Sequence, residues 1–493
     1  MTSEILTGIM NVLKIGNISI IFLGTIFGIL VGAMPGLSAT MGVALLVPIT
    51  FKMNPITGLC MLGAVYCGAV YGGSITAILI RTPGTPGNIT TAWDGYEMTK
   101  KGLAGKALGI STFASFFGGI ISALALLFIA PPLAEFSLKF GPPERFLLAT
   151  FGITIIASLC SEYPIKGFVS GVLGIVLSFT GIDLAVGDVR YTFGQLGLFD
   201  GIPQLPVLIG LVSMSQAIIL IEGKSKKIQV QKAIVKDRVL PTFADFKKIW
   251  TTLVRSSILG TIIGIIPGVG TDVASFLSYN EAKRVSKNDK EFGKGSIVAL
   301  SASESANNGV TGGSLIPLLT LGIPGNAVAA VFLGGLLIHG LIPGPDLFTK
   351  YGDVTYTLMM SLFFANIALL VLGLLGASLF VNVVRIEKNI LSPLIFTFSV
   401  LGSYALRNSI FDVYLMFIFG IIGYVMEKRS FPTAPLIIGV ILGPIVESEL
   451  RRSLTIFRGS FAPFLTRPIS LFFILLIIYS LYISFKRIIN KNQ

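Results

Sequence analysis

GTIFGILVGAMPGLSATMGVALLVPITF, Gly24 to Phe51, contains no Asp, Glu, Lys or Arg and is interrupted by Pro35-Gly36. An uncharged apolar run needs about 20 helical residues to cross the hydrocarbon of a bilayer. Proline deletes a backbone donor and glycine weakens the turn beside it, so this run predicts a membrane helix broken near its middle. In lipid the freed amides and carbonyls need partners. Such a break survives only where it is buried in protein or faces water.

Apolar runs of the same kind recur from Ile18 to Phe485, including Gly58–Ile80, Leu108–Ala130, Ser296–Ala302, Leu315–Ile342 and Tyr356–Val384. Of the 493 residues, 53% are hydrophobic and 12% charged, where soluble chains carry about 25% charged residues. A soluble enzyme, a disordered scaffold and a secreted disulfide module are thereby excluded. The pattern predicts an all-α polytopic membrane protein with roughly 10 to 14 transmembrane or re-entrant helices. Met1 to Lys14 reads as a short amphipathic helix ahead of the first span, not as a cleavable signal.

The net charge is 37 − 24 = +13. Its densest cluster runs from Lys224 to Arg255, opposed only by Glu-free sequence with Asp237 and Asp245. Basic residues gathered in short loops between apolar runs follow the positive-inside rule and do not indicate a nucleic-acid partner. The cluster divides the chain into a first transmembrane half (1–222), a basic cytoplasmic connector (223–255) and a second half (256–493). The halves resemble each other. GTIFGILVGAMPG (Gly24 to Gly36) returns as GTIIGIIPG (Gly260 to Gly268). YGGS (Tyr71 to Ser74) followed by PGTPGN (Pro83 to Asn88) returns as TGGS (Thr311 to Ser314) followed by IPGN (Ile323 to Asn326). The gap from Ser to Pro is nine in the first half and ten in the second, and the common order predicts an internal repeat.

Enzymatic chemistry finds no support. The three cysteines, Cys60, Cys67 and Cys160, form no CxxC, and His339 is the single histidine. They cannot supply a zinc or iron–sulfur ligand set, and the thiols read as buried apolar groups. No G-x-x-x-x-G-K-[ST] phosphate loop occurs, and no G-x-S-x-G accompanies His339. GVGTD (Gly268 to Asp272) misses the G-x-G-D spacing of an intramembrane aspartyl protease by one residue. The chain is read as a non-enzyme with no cofactor and no bound metal.

Paired interruptions at corresponding points of two halves point to a transporter's midplane site. Half-helix N-termini favour an anion, whereas unwound carbonyls and helix C-termini favour a coupling cation. The substrate candidates beside the breaks are Gly36, Ser38, Gly73, Ser74, Arg81, Gly84, Thr85, Gly87 and Asn88 in the first half. In the second they are Gly268, Thr271, Gly313, Ser314, Gly325 and Asn326. Most offer hydroxyl, amide or backbone groups without a permanent charge. The ion-coupling candidates are Glu304, Asn307, Asn308 and Asp272, because a carboxylate in apolar context is a functional hypothesis by default. Arg81 is suited either to grip a carboxylate with its planar fork or to snorkel to the interface. Asp94 and His339 read as residues at loop ends. A passive organic-anion channel is the alternative to a carrier.

At this density of motifs the chain resembles the large membrane subunit of the tripartite tricarboxylate transporters, the TctA type. The resemblance runs through Gly24–Phe51, YGGSITAILIRTPGTPGN (Tyr71 to Asn88), Asp94–Gly109, Phe140–Thr154 and Ile265–Arg284. It continues through Phe292–Pro345, Leu406–Met426 and LTRPIS (Leu465 to Ser470). It implies a secondary active importer of a carboxylate, driven by a sodium or proton gradient, in the cytoplasmic (inner) membrane of a prokaryote. It also implies two partners, a small membrane subunit and an extracytoplasmic solute-binding protein. Arg81 stands where many members have Asn, and that departure leaves the substrate open. A homo-oligomer is compatible with this reading. Movement of the site as a rigid unit, as in elevator-type carriers, is an expectation by analogy.

Overall fold

The computed structural model describes residues 2–34, 37–159, 164–183, 187–222, 237–383 and 388–491. The first helices are α1 (Thr2–Val12), α2 (Ile15–Gly32), α3 (Ala39–Thr50), α4 (Pro55–Ile80), α5 (Ile89–Lys100) and α6 (Ala104–Ser137). They are followed by α7 (Pro142–Leu159), α8 (Pro164–Ser178), α9 (Gln204–Leu208) and α10 (Ser215–Glu222). Beyond the basic connector come α11 (Phe243–Ile265), α12 (Gly270–Val285), α13 (Ile297–Leu321), α14 (Ala327–Ile338), α15 (Pro345–Thr349) and α16 (Gly352–Val383). The chain closes with α17 (Lys388–Arg407), α18 (Ile410–Lys428), α19 (Thr433–Ile456), α20 (Ala462–Thr466) and α21 (Pro468–Lys491). Among the described residues the β-structure is one two-residue pairing, Gly181–Ile182 against Val189–Arg190. Six of the described helices, and the continuous stretch Gln204–Glu222 in which a π-helical segment Ile209–Met214 joins α9 to α10, are long and apolar enough to cross a membrane, and five shorter apolar helices join them. The all-α, polytopic architecture expected from the apolar runs is the one observed.

The chain forms two compact units, residues 1–132 with 220–393, and residues 133–219 with 394–493. Each unit takes one segment from either side of the connector, so each sequence half is shared between both units. The connector itself is partly helical. Thr242 and Asp245 close a capping box at the start of α11, which therefore holds the basic residues from Lys247 to Arg255.

The first unit is organised by two glycine-faced helix pairs. A Cβ on Gly28 or Gly32 of α2 would lie 2.5 Å from Val65 O or 2.2 Å from Ala69 O of α4. The second pair repeats this. A Cβ on Gly260 of α11 would lie 2.2 Å from Ala306 O of α13, and one on Gly313 would lie 2.5 Å from Thr261 O. Small residues let membrane helices meet backbone to backbone, where dispersion and not hydrophobic exclusion holds them. Gly32→Ala should therefore destabilise the protein by about 1–3 kcal/mol through overpacking. Gly16→Ala, whose Cβ meets open space, should leave the melting temperature in detergent unchanged or raised.

The breaks that follow the two pairs are bonded alike. Gly84 N–H donates to Gly73 O at 3.2 Å, and Gly325 N–H donates to Ser314 O at 3.4 Å. A Cβ at Gly84 would lie 2.2 Å from Gly32 O, and one at Gly325 would lie 2.5 Å from Gly264 O. The structural register thus matches Gly73, not Ser74, to Ser314. With that correction the unequal gaps of nine and ten residues become equal.

The polar stretch Ser301 to Ser314, bounded by the apolar runs Ser296–Ala302 and Leu315–Ile342, does not interrupt its helix. Helix α13 passes straight through, buried from Ala299 to Thr320. Its hydroxyls bond back to the helix, Ser301 to Val298 O, Ser303 to Ala299 O, Ser305 to Ser301 O and Thr311 to Asn308 O. A polar segment is tolerated in a membrane helix when protein surrounds it and its hydroxyls find the preceding turn.

In the second unit Gly174 of α8 would meet Leu436 O of α19 at 2.2 Å with a Cβ added. Buried Glu144 of α7 accepts from Arg467 Nε at 2.6 Å and from Ser470 Oγ at 2.8 Å. Asp183 beside the short hairpin accepts both guanidinium nitrogens of Arg451, at 3.0 and 2.7 Å.

Candidate functional site

Glu304 lies on α13 in the first unit, fully buried. Its Oε2 accepts from Ser74 Oγ of α4 at 2.6 Å, from Ser111 Oγ of α6 at 3.0 Å and from Ser115 Oγ at 2.9 Å. Its Oε1 accepts from Thr91 Oγ1 of α5. Three separate segments converge on one carboxylate with four hydroxyls and no cationic side chain. A buried charge is normally paired. Here, among the described residues, four hydroxyl donors take the place of a counter-cation.

Ser74 joins this carboxylate to the first break. Asn88 Nδ2 donates to Ser74 Oγ at 2.8 Å, and Thr85 Oγ1 donates to Asn88 Oδ1 at 2.5 Å. Thr85 precedes and Asn88 ends the 3₁₀ turn Pro86–Asn88 that leads into α5. Gly73 is glycine for a steric reason, since a Cβ there would lie 2.2 Å from Asn88 Oδ1.

One turn further along α13, Asn307 and Asn308 are fully buried. Neither the oxygen nor the nitrogen of either amide has a partner, and Thr90 Oγ1 of α5 is likewise unbonded. Buried polar atoms are almost always hydrogen-bonded, and each orphan costs about 1–3 kcal/mol. Asn307 points at the first break and at the start of α12. A Cβ added to Gly87 would lie 2.5 Å from Asn307 Oδ1 and 2.8 Å from Thr271 Oγ1. Gly87, Thr271 and Asn307 therefore form a closely packed polar niche between the N-terminal ends of α5 and α12, with no room for a further methyl. Helix N-termini present free N–H groups and positive partial charge, and the orphaned Asn307 and Asn308 amides add donors and acceptors in equal number.

The remaining candidates take other positions. Gly36 lies outside the described residues, with Pro35. Ser38 caps α3 by accepting from Met41 N at 3.2 Å. Gly84, Gly313 and Gly325 are close-packing points of the two helix pairs. Gly268, with φ +81°, donates its amide to Gly325 O at 2.8 Å and ties the two breaks of the second half together. Asn326 caps α14 through Ala329 N at 2.9 Å, and its Nδ2 donates to Tyr66 OH at 2.7 Å. Tyr66 OH in turn shares a hydrogen bond with Ser314 Oγ. The Asn326 amide is thus engaged on both of its polar atoms. Asp272 stands in the first turn of α12, partly exposed. Arg81 ends α4 in a left-handed conformation, exposed, its guanidinium 5.9 Å from the Tyr96 ring centre. It does not reach the buried niche.

Asp94 is not at a loop end. It sits within α5, fully buried, and accepts from the backbone amides of Gly293, Gly295 and Ser296 and from Tyr279 OH. It holds the start of α13 and so positions Glu304. His339 directly follows α14. Cys60 and Cys67 are buried free thiols, and Cys160 lies outside the described residues.

Three members of the Glu304 cage, Thr91, Ser111 and Ser115, were absent from the sequence candidates. Ser111 and Ser115 are one helical turn apart in GISTFASFFGG (Gly109 to Gly119), where hydroxyls read as packing residues. Only their four-residue spacing marks a shared face.

Comparison with known proteins agrees with this architecture. The family model described as Tripartite tricarboxylate transporter TctA family matches residues 18–438. An Agrobacterium vitis protein, described as an uncharacterized 52.8 kDa protein in the TAR-I ttuC' 3' region, is 38% identical over 454 residues. That match covers 92% of this chain and 90% of the relative. A second Agrobacterium vitis protein, described as an uncharacterized protein in the TAR-II ttuC' 3' region, is 40% identical over 211 residues, covering 43% of this chain and 87% of the relative. No solved structure matches. The helices long enough to span a bilayer and the family match over most of the chain make this a multi-pass membrane protein that belongs to the tripartite tricarboxylate transporter TctA family.

Proposed function

We propose that the protein is the large permease subunit of a secondary active importer, which moves a tricarboxylate or related organic acid by alternating access at the expense of a sodium or proton gradient. The reading includes a small membrane subunit and an extracytoplasmic solute-binding protein as partners, and a prokaryotic inner membrane as the location. The observation that carries it is the pair of orphaned buried amides, Asn307 and Asn308, one turn from Glu304. Such amides offer unbonded donors to an anionic ligand that arrives and leaves, and unbonded oxygens to a cation that travels with it. The neighbouring carboxylate without a counter-cation is suited to an ion that travels with it. Two breaks with like bonding provide the two arms that alternating access needs.

Uptake into proteoliposomes under imposed sodium or proton gradients, with citrate, malate and succinate as probes, tests the proposal. Concentrative uptake that collapses with the gradient is expected, whereas flux that only equilibrates the probe would leave a channel. Asn307→Ala should weaken carboxylate binding about 10- to 100-fold, the worth of one or two hydrogen bonds to a charged group. Protection against thermal unfolding by the same probes measures it.

A further inference from the structure

The two breaks share their backbone bonding but differ in what their polar side chains reach. In the second, Asn326 leads to Tyr66 and Ser314, and Ser314 Oγ donates at 3.2 Å to Thr311 O. That chain ends on backbone. In the first, Thr85 donates to Asn88, Asn88 to Ser74, and Ser74 to Glu304. That chain ends on a carboxylate, and every link in it can run in either direction.

We propose that Glu304 is the proton site of the carrier, and that the Ser74–Asn88–Thr85 chain reports its protonation to the first break alone. This inference rests on the reading of the site as a coupled carboxylate carrier. Glu304 bonds only to hydroxyls, each of which can give or accept a hydrogen. A hard cation would call for about six oxygen ligands, and the unbonded amide oxygens of Asn307 and Asn308 lie one turn further along α13, outside the hydroxyl set.

The step balances without any co-reactant. A proton from solution bonds to Oε2, and Glu304 becomes a donor to Ser74. Ser74 then turns its own hydrogen toward Asn88, whose amide flips to offer Oδ1. Nδ2 of Asn88 now donates to Thr85 Oγ1, and the Thr85 hydroxyl hydrogen is released. Thr85 precedes the turn that carries Gly87, so the freed hydroxyl becomes a donor at the mouth of the niche, available to the substrate carboxylate. Proton and anion are thereby taken up together.

The titratable groups on the surrounding elements make no hydrogen bond to Glu304, and the Tyr71 phenol is close enough to feel its charge. Tyr71 of α4 bonds Thr112 at 2.7 Å, and Asp94 of α5 is engaged by the start of α13. Lys106 of α6 pairs at 2.6 Å with Asp245 of α11, and Tyr279 of α12 donates to Asp94 at 2.9 Å. Asp272 occupies the first turn of α12, and Arg255 lies on α11 near its middle.

Infrared difference spectra of the purified full-length protein, taken between acidic and alkaline pH without substrate, test the assignment. A buried carboxylic-acid band should appear, vanish in Glu304→Gln, shift in Ser74→Ala and in Asn88→Ala, and stay in place in Asn326→Ala. The amide variant preserves the shape of the side chain, and the two relay variants cover the case in which it fails to fold. A band that persists in Glu304→Gln, that ignores Ser74→Ala, or that sodium removes at constant pH overturns the proposal. A normal set of bands in a protein that transports none of the probes would uphold the proton site and overturn only the carrier reading.

Discussion

Gly87→Ala is expected to abolish carboxylate uptake while leaving a folded, monodisperse protein. The added methyl would stand 2.5 Å from Asn307 Oδ1 and 2.8 Å from Thr271 Oγ1, inside the niche. The Asn307 amide is a side-chain end that can swing aside, whereas Thr271 Cβ, 2.9 Å away, is fixed to α12 and must give by a few tenths of an ångström for the fold to absorb the change. The niche does not absorb it, because the methyl turns the Asn307 amide away. A misplacement of about 1 Å at a reacting or binding centre costs on the order of 100-fold. Initial uptake rates should fall by at least that factor, with the melting temperature within a few degrees of the parent protein. Unchanged uptake would remove Gly87, Thr271 and Asn307 from the substrate path.

Asp94→Ala should show the opposite pattern, a large loss of stability. One carboxylate satisfies three backbone amides ahead of α13 and the Tyr279 hydroxyl; Ser296 and Tyr279 are buried, whereas Gly293 is exposed. Removing it leaves the buried donors unpaired at about 1–3 kcal/mol each, so a loss on the order of 3 kcal/mol is expected. Thermal unfolding in detergent should report it as a clear drop in melting temperature. Asp94→Asn, which retains one acceptor oxygen, should lose less. A variant that melts normally but fails to transport would move Asp94 from a structural role to a functional one.

The contrast between these residues explains how far the sequence could be read. Helix class and membrane character followed from uncharged runs, because the bilayer leaves few alternatives for an apolar segment of about 20 residues. The breaks at Pro83 and Pro324 were legible because proline and glycine act locally on the backbone. Glu304 stood out because charge is scarce in its surroundings. Of its cage only Ser74 stood out, as a hydroxyl beside the first break; Thr91, Ser111 and Ser115 come from segments 189 to 213 residues away in the chain, and nothing local distinguishes them from packing hydroxyls. Asp94 looked like a loop residue because its partners, 199 to 202 residues distant, are backbone amides with no side-chain signature. The continuity of α13 was hidden for a related reason. A run of Ser, Asn, Thr and Gly resembles a linker until the protein that surrounds it is known.

Repeat register was the other loss. Matching Ser74 to Ser314 by letter displaced the alignment by one position, whereas the hydrogen bonds of Gly84 and Gly325 pair Gly73 with Ser314. The shift matters for function. It separates Ser74, which bonds the carboxylate, from Ser314, which belongs to a neutral network, and so distinguishes two breaks that the motifs made look alike.

The most direct test is carboxylate accumulation in proteoliposomes under an inward proton gradient at fixed sodium, comparing the parent protein with Glu304→Gln. Accumulation above the external concentration that a protonophore abolishes, and that the variant lacks while still exchanging substrate across the membrane, is the predicted result. Accumulation driven by sodium alone at constant pH, or a variant that still concentrates substrate under the proton gradient, would contradict it.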